Sequence, residues 1–230
     1  FTQEIADYLA RVVRENVGSA LIVGSSGAGK TTLLNALSLH IKDATQLAVA
    51  ETFKELRLAH PYPLRAVARA ELKPHEQAAG IVTMRDVVNT IYTRMRPDLI
   101  LVGEVVSEES VEFLRAVALG SRAITTIHGA SCLSGLVNLE TLAVQYGKLD
   151  QHVARQWIAR SIDLVIHVDR AESGSRFVSE VSLVRGLSAE GSYRLEAIFR
   201  HAEARGNRAE HLAQMWKDSQ NGRGEAKRKG

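Results

Sequence analysis

Gly24-Ser25-Ser26-Gly27-Ala28-Gly29-Lys30-Thr31-Thr32 places a glycine, four intervening residues and then Gly-Lys-Thr in one short stretch. That spacing suits polyphosphate. Glycines let successive backbone N–H groups turn inward onto phosphate oxygens, and the N-terminus of a following helix adds partial positive charge. In such a loop Lys30 bridges the outer phosphates and the Thr31 hydroxyl ligates Mg²⁺. Hydrolysis of a nucleoside triphosphate also needs a carboxylate that holds metal or orients the attacking water. Glu104 closes the run Leu99-Ile100-Leu101-Val102-Gly103-Glu104. It thus stands at the carboxyl end of a buried-type strand, where ligands bind in open α/β sheets. Gly103 occupies the neighbouring place where an Asp usually contacts metal, so Glu104 is expected to serve both metal and water. ATP and Mg²⁺ are the expected ligands.

These groups need a scaffold, and the chain supplies alternating helix-like and strand-like segments. Ser19-Ala20-Leu21-Ile22-Val23 is an apolar run of buried-strand type directly before the loop, and Leu33, Leu34 and Leu37 follow it at helical spacing. Upstream, Ile5, Leu9, Val12 and Val13 share one face of a helix from about Glu4 to Arg14. Gln46 to Ala50 reads as a strand, Pro61 and Pro63 break the chain, and Leu64 to Ala70 resumes an extended pattern before a polar loop around Pro74 and Gly80. Thr83 to Met95 is helical, Leu99 to Val102 a buried strand, and Ser107 to Leu119 a helix closed by Gly120. A strand at Ala123 to Ile127, helices at about Leu133 to Tyr146 and Gln151 to Arg160, and a buried strand at Leu164 to Val168 come next. Segments 176–185 and 193–200 form a hairpin. The alternation predicts an α/β fold with a mainly parallel sheet covered on both faces.

With 230 residues and 45% hydrophobic content the chain can bury one sizeable core. No segment approaches the ~18 consecutive apolar residues of a membrane span, and no secretory signal opens the chain. The single cysteine, Cys132, excludes an internal disulfide and reads as a small buried side chain compatible with a reducing cytoplasm. The net charge of +3 is unevenly placed. Residues 204–230 hold seven basic residues against three acidic ones, which leaves residues 1–203 at −1. Nucleic acid is therefore not expected as a partner of the core. The expected division is an ATPase domain over 1–203 and a basic tail over 204–230, in which Asn207, Ala209, Glu210, Leu212, Ala213 and Trp216 suggest a short amphipathic helix before a disordered end.

The loop with its Leu-Leu-Asn-Ala-Leu extension, Thr83-Met84-Arg85-Asp86, Met95-Arg96-Pro97-Asp98 running into Val102-Gly103-Glu104-Val105, Thr125-Thr126-Ile127-His128 and Leu139-Glu140-Thr141 together resemble the secretion ATPase superfamily. That superfamily holds the motors of type II and type IV secretion, type IV pili and conjugation, and the order and spacing are most similar to its tight-adherence pilus and conjugative-transfer branch. The resemblance spans roughly residues 3 to 185. It implies a RecA-like domain with a C-terminal hairpin, acting as a cytoplasmic motor peripheral to the inner face of the membrane. It also implies a hexameric homo-oligomer and a partner in the inner-membrane secretion or pilus machinery. By the same resemblance Glu51 falls in an acidic box, polarising water or holding Mg²⁺ through water, and His128 senses the terminal phosphate. Arg65, Arg69 and Arg85 match arginines near the phosphates, some acting between subunits.

Departures accompany the matches. Thr52 replaces the usual Asp of the acidic box, and Val106 stands where an arginine follows Glu-Val. Ser107-Glu108 replaces a glycine-rich pair, Ala130 and Asn138 replace an Asn and an Arg, and the Gly120-Ser121-Arg122 loop is one residue short. The helix before Arg96 is one residue longer than the family's. Phe1 opens the chain at the helix leading into the phosphate loop, so an isolated ATPase core without the family's N-terminal domain is expected. Nucleotide binding is thus better supported than fast hydrolysis. Two alternatives stay open: a catalytically weakened structural ring subunit, and a nucleic-acid-stimulated RecA-like translocase, the latter disfavoured because aromatics make up only 5% of residues.

Overall fold

The computed structural model describes residues 3–69, 81–171 and 173–201; the expected tail helix and the loop around Pro74 lie outside these. The elements run α1 (Gln3–Glu15), β1 (Ala20–Gly24), α2 (Lys30–Ser38), β2 (Leu47–Glu51), β3 (Leu64–Val67), α3 (Met84–Thr90), β4 (Leu99–Val102), α4 (Glu109–Ala118), β5 (Arg122–His128), α5 (Cys132–Gly147), α6 (Gln151–Ser161), β6 (Leu164–Arg170), β7 (Arg176–Leu187) and β8 (Tyr193–Arg200). They build one eight-stranded sheet in the order β3-β2-β4-β5-β1-β6-β7-β8. The first six of these strands are parallel, and β7 and β8 close the sheet as an antiparallel pair. The expected mainly parallel sheet and terminal hairpin are both present.

β1, β2 and β4 are buried along their whole length because helices cover both faces. Side chains alternate between two cores: Leu21, Val23, Ile100 and Val102 pack towards α3, α4, α5 and α6, whereas Ala20, Ile22, Leu99 and Leu101 pack towards α1 and α2. Each fully buried aliphatic side chain contributes about 1.5–3 kcal/mol. This two-sided burial makes the central strands the rigid base of everything at their carboxyl ends.

Two local features hold the flanks. After α3 the helix continues as a π turn over Ile91–Met95, with the Arg96 amide donating to the Ile91 carbonyl at 3.1 Å. A π turn takes one more residue than an α-helical turn, and through this widened turn the chain passes from α3 to Arg96 and β4. On the other side Glu140 of α5, 3% exposed, accepts from Gln151 at 2.8 Å, from Arg155 Nε and Nη2 at 2.9 and 2.7 Å, and from the Tyr193 hydroxyl at 2.8 Å. Arg155 also donates to the Gly191 carbonyl at 3.3 Å, so one carboxylate fastens α6 and the β7–β8 turn to α5.

Burial alone would raise the Glu140 pKa, yet donation from Arg155, Gln151 and Tyr193 outweighs it and holds the carboxyl below its ordinary value. A depressed folded pKa gives stability that is complete above the unfolded carboxyl value and is lost as pH falls through the folded one. Glu140→Gln should therefore destabilise the protein by about 2 kcal/mol at neutral pH, since it leaves Arg155 without its carboxylate. Thermal unfolding of both proteins checks this, and the gap in Tm should close in acid; a gap unchanged by acid refutes it.

Candidate nucleotide site

The loop leaves β1 at Gly24, where a side chain could not fit: an added Cβ would lie 2.7 Å from the Val168 carbonyl of β6. Gly27 (φ +71°) and Gly29 (φ +103°) take left-handed backbone conformations that glycine adopts without strain. Gly29 is the N-cap of α2 and offers no side-chain oxygen to the first helical amides. A concave backbone ending on an uncapped helix N-terminus fits phosphate oxygens as the ligand of those amides. Ala28 is buried and pins the loop, Ser25, Ser26 and Gly27 are exposed, and Thr31 and Thr32 lie in the first turn of α2.

Lys30 is only 7% exposed, and its ammonium donates to the carbonyls of Gly24 at 3.2 Å and Ser25 at 3.3 Å. It also lies 3.5 Å from Glu104 Oε1 and 3.4 Å from His128 Nδ1. His128 Nε2 is 3.2 Å from the same Glu104 oxygen. An ammonium can only donate and a carboxylate can only accept, so the imidazole tautomer carrying its proton on Nε2 satisfies both contacts. Three residues from β1–α2, β4 and β5 thus converge because their strands are adjacent and end level, with Gly24 opposite His128 in register. Asn138 of α5 donates to the His128 carbonyl at 2.8 Å and steadies the end of β5.

The Thr31 hydroxyl and the Glu104 carboxylate are oxygen donors of the kind a divalent cation takes, and among the described residues no cluster of three or more metal-ligating side chains occurs. That donor set fits Mg²⁺, which takes one or two protein ligands and fills the rest of its octahedron with water and phosphate oxygens.

Glu51 sits beside this triad rather than in it. At the end of β2 it is 1% exposed; one oxygen accepts from the amides of Glu55 and Leu56 at 2.9 and 2.7 Å, and the other pairs with the Arg65 guanidinium. Arg65 donates as well to the Leu56 carbonyl at 3.0 Å. The acidic-box loop is therefore folded around its own carboxylate, with Glu51 Cγ 3.5 Å from where a Cβ on Gly103 would be. Arg85 and Arg115 pair with buried Glu112 at 3.3 and 3.1 Å, joining α3 to α4, and the Tyr92 hydroxyl donates to the same carboxylate at 3.0 Å. Arg69 is exposed and bridges Val82 through its backbone. Arg65, Arg69 and Arg85 lie on the β3 side of the sheet.

The segment around Val106 is held by a backbone lock. Buried Glu109 accepts from the amides of Val106 at 2.5 Å and Ser107 at 2.8 Å and from the Ser107 hydroxyl at 2.8 Å, fixing the segment after Glu104. Sequence reasoning also missed Arg176. From the start of β7 its Nε donates to the Gly27 carbonyl at 2.8 Å, and its Cδ lies 3.0 Å from where a Gly29 Cβ would stand.

The family described as "Type II/IV secretion system protein" matches residues 1–199. Among curated proteins, the conjugal transfer protein TrbB of Rhizobium radiobacter is 30% identical over 184 residues, covering 77% of this chain and 52% of its own length. The type IV secretion system protein PtlH of Bordetella pertussis is 33% identical over 180 residues, covering 74% of this chain and 50% of its own. Among solved structures, the VirB11 ATPase from the Brucella suis type IV secretion system, crystallised in complex with sulphate, superposes with a TM-score of 0.66 at 28% identity, over 79% of this chain and 53% of that one. The fold is RecA-like. The chain spans about half the length of the curated relatives it matches.

Proposed function

We propose, on the premise that the chain belongs to the type II/IV secretion system protein family, that it binds ATP with Mg²⁺ and hydrolyses it as a motor subunit for secretion, pilus assembly or conjugative transfer. The observation that carries this reading is the convergence of Lys30, Glu104 and His128 on the rim of the phosphate loop. In-line attack of water on a terminal phosphate is catalysed mainly by positioning and charge neutralisation. Loop amides and Lys30 would cradle the outer phosphates. Thr31 and Glu104 would hold Mg²⁺, which when bound neutralises charge developing on the phosphate oxygens. Glu104 would also orient the attacking water, and His128 would report the terminal phosphate through its contact with Glu104.

Glu51 serves in this reading as a positioning group that orders the loop beside Gly103, with Arg65 as its counter-ion. Arg69, exposed on the β3 side, would act on the nucleotide of a neighbouring subunit in a ring, the hexamer of the family resemblance, and Arg85 would join it on exchanging its pair with Glu112 for phosphate. An arginine supplied in trans is worth ~10³-fold or more in rate. Among the described residues no helix is long and apolar enough to cross a membrane, which suits a subunit working at the cytoplasmic face of a membrane-embedded machine. The consumed carboxylate of Glu51 and the half-exposed Val106 in place of a cation favour, as a second reading, a nucleotide-binding ring subunit with weakened hydrolysis.

Phosphate release measured with sedimentation over a protein concentration series, with and without single-stranded DNA, tests these readings. The expected result is slow turnover at low micromolar protein, rising as subunits associate and indifferent to DNA. ATP binding without turnover at any concentration selects the structural subunit, and stimulation by DNA selects a translocase. Fast turnover by a demonstrated monomer refutes arginines acting in trans.

A further inference from the structure

The phosphate loop has two flanks, and only one is explained by the chemistry above. β1 lies between β5 and β6 in the sheet, so Glu104 and His128 stand on one side of the loop and the β6–β7 turn stands on the other. Lys30 leans towards the Glu104 side. Because that lysine meets the outer phosphates, a bound nucleotide has its terminal phosphate there and its nucleoside on the opposite side. Arg176 occupies that opposite side.

Its position is set by the backbone. The turn before it is closed by the Ala171 amide donating to the Ser175 carbonyl at 2.8 Å and the Gly174 amide donating to the Ala171 carbonyl at 2.9 Å, with Gly174 at φ +88°. From there the Arg176 stem runs across Gly29, and Nε is anchored on Gly27. Among the described residues its terminal nitrogens have no hydrogen-bond partner, and the side chain is exposed. A guanidinium held by one edge keeps its planar face available, and that face stacks on aromatic rings regardless of base identity.

We propose that Arg176 is the nucleoside clamp of this loop, its guanidinium face taking the base of a bound purine nucleotide on the flank opposite Glu104 and His128. This rests on the nucleotide-binding reading given above. The Arg176 stem also lies close over Gly29, so a side chain there would make it shift.

The test compares Arg176→Ala with the unaltered protein in binding ADP with Mg²⁺ and inorganic tripolyphosphate, each measured by competition against a fluorescent ADP. Loss of a stacked guanidinium should weaken ADP about tenfold while tripolyphosphate, which has no base, keeps its affinity within about twofold. Equal weakening of both would mean that Arg176 only shapes the loop through Gly27, and an unchanged ADP affinity would mean that it does nothing to the ligand; either overturns the proposal. Arg176→Gln, which can still donate to Gly27 but cannot stack as a cation, should resemble the alanine variant for ADP, and full ADP affinity in it also overturns the proposal. Thermal unfolding confirms that the variants are folded. Failure of the unaltered protein to bind either ligand is a different outcome, since it removes the nucleotide reading itself and the clamp with it.

Discussion

Lys30→Ala is expected to abolish ATP binding. The ammonium is held on the Gly24 and Ser25 carbonyls of the loop, 3.5 Å from Glu104. Without it the outer phosphates would meet the Glu104 carboxylate and the two carbonyls with no compensating charge. Charge-assisted hydrogen bonds of this kind contribute about 1.5–3 kcal/mol each, so losing two of them lowers affinity by roughly 1,000-fold. The substitution is compatible with folding, since alanine is the best helix former and Lys30 opens α2. Calorimetry in the presence of Mg²⁺ reads the outcome directly, and affinity equal to that of the unaltered protein would sink the nucleotide assignment.

Glu104→Gln separates binding from chemistry. The amide keeps the length and shape of the side chain, so ATP should still bind. Turnover should fall at least ~100-fold, because the neutral group no longer orients the water or holds the metal. The substitution also changes the environment of His128, whose Nε2 faces the same oxygen at 3.2 Å, so any response transmitted through the imidazole is lost together with hydrolysis. Equilibrium binding and steady-state phosphate release on one preparation check both halves of the expectation. If turnover survives, Glu104 is not the group that orients the water.

Much of the scaffold was legible in the chain because its signals are local. The run Leu21-Ile22-Val23 and the run Leu99-Ile100-Leu101-Val102 each announce a strand buried on both faces, and the strands observed at Ala20–Gly24 and Leu99–Val102 are these runs. The helix on Ile5, Leu9 and Val13 and the terminal hairpin were readable for the same reason: periodicity is a property of neighbouring residues. The phosphate loop was legible because its glycines, Lys30 and Thr31 are contiguous.

What no local pattern contains is who stands beside whom. Arg176 and Gly27 are 149 positions apart, and nothing around either one refers to the other. The family resemblance makes Glu51 a candidate for water or metal; the parallel pairing of β2 with β3 brings Arg65 onto it and makes it an internal ion pair. Arg85 reads as an arginine for phosphate, and the packing of α3 on α4 gives it Glu112. Glu140 reads as one acid in a helix, and only the approach of α6 and β8 makes it a buried anchor for three partners. The physical reason is the same in each case. A strand's identity follows from the burial its own side chains require, so the sequence by itself determined the elements and the phosphate chemistry. The order in which strands lie in the sheet is settled by the joint packing of all of them, so only the tertiary structure decided which charges are spent inside the fold and which remain on the rim for a ligand.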